Sequence, residues 1–93
     1  MKKHFRFNKR RKHPSYVFKE KNGNYHSIIV THSSNNGKNI KLKKNPNRND
    51  SRSSYFVPRV YIDSKSSYGR RYDNWKLSKR DKVKYYRIRF FKK

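Results

Sequence analysis

Apolar positions gather first between residues 15 and 30. In SYVFKE, Tyr16 and Phe18 fall on one face and Val17 on the other, the period of two that a β-strand requires. Lys21 to Asn24 form the turn, because a type I′ turn needs positive φ at both central residues, which Asn22 tolerates and Gly23 adopts freely. The return strand, YHSIIVTHS, carries the β-branched run Ile28, Ile29 and Val30. A run apolar on both faces predicts a strand central in its sheet.

Beyond this hairpin the pattern thins. SSNNGK, residues 33–38, is a loop by its Ser, Asn and Gly content, and NIKLK predicts a third strand with Ile40 and Leu42 inward. Residues 44–54, KNPNRNDSRSS, contain no apolar side chain except the proline ring and predict a long exposed loop. YFVPRVYI, residues 55–62, predicts a fourth strand, at an edge or bulged because Pro58 has no N–H for a ladder. DSKSSYGRRYDN reads as a further loop with Arg70 and Arg71 at its tip. From Ser78 the period lengthens: Ser78 and Asp81 form a capping-box pattern, and Val83, Tyr86 and Phe90 share one helical face. The cap favours a C-terminal helix over an alternating strand from Lys84 to Phe90. Residues 1–12, MKKHFRFNKRRK, lack a turn-bounded apolar pattern and predict a basic, flexible arm that orders on a phosphate backbone, with Phe5 and Phe7 available to stack on bases. The expected architecture is mainly β with one C-terminal helix: a small, partly open antiparallel barrel over residues 13–93, preceded by the arm.

Composition narrows the function classes. A chain of 93 residues with 30% hydrophobic residues builds one modest core. Without cysteine it has no disulfide, thiolate metal site or cysteine nucleophile, and no spacing of other ligands suggests a metal or cofactor. No apolar run reaches the roughly 20 residues of a membrane span, and the basic start lacks a signal sequence's apolar stretch, so the expected location is cytoplasmic, away from membrane. Charge changes the picture most: 28 Lys plus Arg stand against 5 Asp plus Glu, a formal net of +23. AT-rich coding bias would inflate lysine, yet Asp and Glu also have AT-rich codons and are scarce. Such self-repulsion is relieved by a polyanion, and nucleic acid is the expected partner.

Arg10, Arg11 and Lys12, then Lys43, Lys44, Arg48 and Arg52, then Arg70 and Arg71 are the candidate phosphate ligands. They are interleaved with Tyr16, Tyr55, Tyr68 and Tyr72, a mixture of cations and stacking rings suited to RNA more than to DNA. Several tyrosines are needed for the core, and Trp75 beside Leu77 is expected under the helix.

The order of the pieces resembles the PemK/MazF-like family, small SH3-like barrels that include toxin ribonucleases of toxin-antitoxin modules. The carrying motifs are His13-Pro14 with SYVF, the Asn22-Gly23 turn, SIIVTHS, NIKLK, SSYFVPRVYID and KLSKRDKVKYYRI, over residues 13–88. The resemblance implies an SH3-like barrel, a metal-independent endoribonuclease, an acidic antitoxin-like partner and a homodimer. It places a catalytic hydroxyl at Thr31 and a transition-state cation at the position of His13, where the family has arginine. A histidine there can act as acid, base or cation, but it lacks the planar two-pronged fork. The family's Gly-Asp opening and Gly-rich loop have no counterpart in MKKHFRFNKRRK. The leading expectation is therefore an RNA-preferring binding protein on such a barrel with its nuclease site lost or altered. A working ribonuclease centred on His13 and Thr31, and a structural ribosome-associated or packaging protein whose arm threads between phosphates, are the alternatives.

Overall fold

The computed structural model describes residues 1–91. It is mainly an open antiparallel sheet with one C-terminal helix. Seven strands follow in chain order: β1 His4–Asn8, β2 His13–Lys21, β3 Asn24–Thr31, β4 Ile40–Lys41, β5 Tyr55–Phe56, β6 Tyr61–Ser64 and β7 Tyr68–Arg71. The helix α1, Lys79–Tyr86, runs on into a π-helical turn, Arg87–Phe91.

The β2–β3 hairpin forms as its turn chemistry requires. Asn22 and Gly23 sit at φ 53 and 78, and Lys21 pairs with Asn24. β3 is the hub: β2 pairs along one edge, while β6 and β5 share the other, opposite residues 24–27 and 30–31. Both edges being occupied, Ile28, Ile29 and Val30 are all buried. One extra residue, Phe18, bulges between the Val17–Ser27 and Lys19–His26 pairs and adds local twist.

Alternation then divides the sheet's two faces. Phe5, Tyr16, Phe18, Ile28 and Val30 meet Leu42, Phe56, Leu77, Tyr85 and Ile88 in the main core under α1. Val17, Tyr25 and Tyr68 form a smaller cluster on the opposite face, where the Tyr68 and Ser27 hydroxyls share a 2.7 Å hydrogen bond. Trp75 is half-buried against the main core, beside Leu77 as expected.

Four expectations need correction. The expected flexible arm contains β1, which lies between β2 and β7, with Phe5 only 1% exposed. Its polar residues His4, Arg6 and Asn8 have internal partners, the Lys2 carbonyl, the Gly69 carbonyl and Asp63, which is what allows so basic a segment into a sheet. With His4–Asn8 held in the sheet, residues 1–12 do not form a phosphate-threading arm. The expected fourth strand is two strands: Pro58 interrupts it between β5 and β6. The expected loop after residue 62 contains the end of β6, a 3-10 turn at Lys65–Ser67 and β7. Finally, the face shared by Val83, Tyr86 and Phe90 is 51%, 47% and 57% exposed and is not the core face; α1 buries Asp81 and Tyr85, and the turn after it buries Ile88.

Asp81 explains that choice of face. Ser78 caps the helix by accepting from the Asp81 N–H, as the motif predicts. The short Asp81 side chain turns sideways and accepts from the Lys43 and Lys44 backbone N–H groups at 2.7 and 3.1 Å, from the Ser78 hydroxyl at 2.8 Å and from Lys84 at 2.8 Å. Burial alone would raise its pKa, but these donors outweigh burial and hold it below the usual carboxylate value. The helix is thus pinned to the chain entering the long loop.

Candidate nucleic-acid interface

Three depressions adjoin one another through shared lining residues, Trp75, Lys76 and Asn45. The first opens at the end of the β2–β3 hairpin remote from the Asn22-Gly23 turn. His13, Pro14, Thr31 and His32 line it together with Asn45, Asn47, Asp50, Arg52 and Trp75, around a cleft of about 600 Å³. The β2–β3 pairing ends at Ser15–Ile29, and beyond it the two strands part to other partners, His13 opposite Asn8 and Thr31 opposite Tyr55, with both side chains lining the cleft.

The polar groups in this cleft are held mainly by local hydrogen bonds. His13 and His32 make matching contacts through Nδ1, to the Arg11 carbonyl at 2.9 Å and the Ser53 carbonyl at 3.0 Å. With Nδ1–H donating in each case, Nε2 is left for other partners. Nε2 of His32 lies 3.4 Å from Asp50, and that contact is an ion pair only when the ring is doubly protonated. Thr31 Oγ1 accepts from the Ser33 N–H at 3.2 Å. Arg52 grips Asp50 through Nε and Nη2 at 3.0 and 2.8 Å, and with the Arg52 N–H this holds the Asp50 carboxyl well below the usual range.

The loop 44–54 forms the outer wall with one apolar anchor, the buried Pro46, whose carbonyl accepts from the Lys76 N–H at 3.2 Å. Asn45 Nδ2 donates to the Arg52 carbonyl, and the Asn47 and Asn49 N–H groups donate to the Asn45 and Asn47 side-chain oxygens. Asx turns of this kind substitute short-range side-chain acceptors for a ladder.

The second depression, along Lys44, Asn45, Pro46, Arg48, Asn74, Lys76 and Ser78, joins the first to the third. The third, about 570 Å³, lies between the start of β1, residues 71–77 and α1. Lys2, Lys3, Arg71, Lys76 and Lys82 surround it, with Tyr72, Trp75 and Tyr86 among its rings.

The expected phosphate ligands separate on this geometry. Arg52 enters the His13–Thr31 cleft, Lys44 and Arg48 line the connecting depression, and Arg71 lines the third. Lys12, at φ 60 in the β1–β2 turn, and Lys43 are exposed but line none of the three. Arg70 is exposed and leans over Tyr72, 5.7 Å from the ring centre. Arg10 and Arg11 turn toward the fully buried Asp63 carboxylate of β6, where Asn8 also donates. Burial would raise the Asp63 pKa, but the Arg11 and Asn8 hydrogen bonds and the two guanidinium charges more than reverse this. Two of the expected stacking rings, Tyr16 and Tyr68, are core residues, and burial pushes the Tyr16 hydroxyl up to about 12. Tyr55 and Tyr72 are half-buried.

His26 lies in a separate depression with Phe18, Lys19 and Arg59, and His4 is buried. Desolvation lowers the pKa of both; Lys19, Lys21 and Arg89 lower His26 further, and Arg71 and Arg6 do the same at His4 despite the Lys2 carbonyl. Lys76 and Lys82 are interface candidates that sequence reasoning missed, since neither has a basic residue next to it in the sequence; Lys2 and Lys3 were expected to meet phosphate only as part of an arm.

All five acidic residues are engaged: Glu20 with Lys65, Asp50 with Arg52, Asp63 with Arg10 and Arg11, Asp73 with Arg71, and Asp81 with Lys84. Among the described residues the remaining lysines and arginines have no ion-pair partner, and no group of three or more metal-binding side chains occurs. No described helix is long and apolar enough to cross a membrane. Comparisons of the chain with protein-family models, curated proteins and solved structures find no match.

Proposed function

We propose that the protein binds nucleic acid, RNA in preference to DNA, along the face formed by the three adjoining depressions. The carrying observation is that the five Asp and Glu side chains are each ion-paired internally, while among the described residues Lys44, Arg48, Lys76 and Lys82 have no ion-pair partner and lie beside half-exposed aromatic rings. Cations along a concave path attract phosphates, and adjacent rings favour bases that are not locked in a B-form duplex. The test is fluorescence anisotropy with labelled RNA and with DNA of the same sequence over a salt series. Affinity for RNA should be the higher and should fall steeply with salt; a flat salt dependence or a DNA preference overturns the proposal.

One observation favours a second reading, a metal-independent endoribonuclease of the PemK/MazF-like kind. His13, Thr31, His32 and Arg52 line a single cleft. Cleavage through the 2′-OH requires a base, an acid and a cation near one phosphate, and this set contains all three types. Arg52 would have to share itself between Asp50 and the phosphate. On this reading an acidic partner protein covers the cationic face, expression arrests growth, and His13→Ala or Thr31→Ala abolishes cleavage while binding survives. Intact RNA after incubation with folded protein overturns it.

A further inference from the structure

The third depression differs from the other two in its walls. Tyr72 lies flat on Trp75, ring centres 4.2 Å apart and planes 16° apart, on one side. Tyr86, on the helix side, is 47% exposed and stacks on Phe90 at 6.1 Å and 22°. The cleft therefore offers two partly open aromatic stacks, with Lys76 and Lys82 at its margin. Its one carboxylate, Asp73, is already held by Arg71 at 2.7 Å. About 570 Å³ is within the usual range for a site that holds a nucleotide-sized ligand, roughly 300–1,000 Å³.

From these features, and resting on the RNA-binding reading, we infer that this depression is a stacking site for unpaired nucleotides, so that the ligand is single-stranded RNA. A base adds to the Tyr72–Trp75 stack or to Tyr86, because any base offers a π-face to a ring, while Lys76 and Lys82 take the flanking phosphates. Bases inside a duplex are already stacked and cannot enter. Arg70, which now leans on Tyr72, is exposed and can leave the ring for a phosphate when a base arrives.

Trp75 is the only tryptophan in the chain, so it reports on its own site. The experiment follows Trp75 emission during titration with a uridine 12-mer, the same 12-mer in an RNA duplex with its complement, and inorganic polyphosphate. The 12-mer should quench Trp75 and bind about tenfold or more tightly than the duplex; polyphosphate should bind without comparable quenching. Tyr72→Leu and the surface variant Tyr86→Ala, each checked for native circular dichroism, should each lower 12-mer affinity, by about tenfold for a ring that carries a base. Neither should alter the salt slope. Lys76→Gln and Lys82→Gln should each reduce that slope by about 0.7. Wild-type 12-mer affinity in the Tyr86→Ala and Tyr72→Leu variants, equal binding of duplex, or equal quenching by polyphosphate overturns the stacking site while leaving RNA binding intact. No salt-dependent binding of any nucleic acid overturns both.

Discussion

Replacing Asp81 with alanine removes one buried carboxylate and four hydrogen bonds at once. Its partners are the Lys43 and Lys44 amides, the Ser78 hydroxyl and the Lys84 ammonium. Hydrogen bonds to a charged group are worth about 1.5–3 kcal/mol each, but they are not additive. Lys84, with a side chain 29% exposed, recovers water when its partner is lost. The two amides and the helix cap dominate, so the expected loss is about 3–4 kcal/mol. A chain this long has roughly 5–14 kcal/mol of stability in total, and the corresponding fall in Tm is about 12–25 °C. Urea denaturation followed by Trp75 emission measures the difference directly. Because the Asp81 pKa is lowered by folding, its contribution is present above the unfolded value of about 3.9 and is lost as pH falls through the folded value. The gap between wild type and variant should therefore narrow below pH 4. Asp81→Asn, nearly identical in shape, should lose most of the same stability, since its amide nitrogen meets donors. An Asp81→Asn protein within about 1 kcal/mol of wild type, or a wild-type–alanine gap that stays constant from pH 7 to 3, refutes the electrostatic account.

Three further outcomes follow from the fold. Phe5→Ala should cost about 3–5 kcal/mol in urea denaturation, as befits a core strand; a cost under about 1 kcal/mol would restore the flexible arm. Gly23→Ala should cost about 1–2 kcal/mol from backbone strain at φ 78 alone, because no atom lies within 4 Å of the added methyl, and an unchanged urea midpoint would contradict the type I′ turn. His4 and His26 have folded pKa values below the unfolded 6.5, so both stabilise the fold above that value and that stabilisation is lost as pH falls below it; the Tm should drop between pH 7 and 5, and the His4→Gln, His26→Gln double variant should flatten that drop.

Local chemistry was the readable part of this chain. Asn22-Gly23, the Ile28–Val30 run and the Ser78 cap each specify their own backbone within a few residues, and the hairpin ends bring His13 and Thr31 to the lining of one cleft. What depended on distant partners was hidden. HFRFN looks like a charged tail until Asp63, far along the chain, supplies the counter-ion that lets Asn8, Arg10 and Arg11 settle beside β6. The same pairing makes Arg10 and Arg11 poor candidates for free phosphate ligands, although the local sequence marks them as such. YGRR has no apolar alternation, yet it pairs with β1 and delivers Tyr68 to the second cluster. In the helix, Val83, Tyr86 and Phe90 compete with Tyr85 and Ile88 at comparable spacing. The winner is decided by where Asp81 meets residues 43 and 44.

The wall formed by residues 44–54 holds its shape through side chains that bond to backbone a few positions away. Its ends are tied to the rest of the fold, through the Lys44 N–H to Asp81, the Pro46 carbonyl to the Lys76 N–H and the Ser54 carbonyl to the Leu42 N–H, while the stretch between them rests on these short-range bonds. Substitutions that keep the Asn45, Asn47 and Asp50 acceptors can therefore rewrite the charge and reach of Arg48, Ser51 and Arg52 with small effect on folding. In evolutionary terms the cleft's selectivity and the domain's stability are close to separately heritable traits, and a library randomised at those three positions is the place to look for altered ligand choice in a protein that still folds.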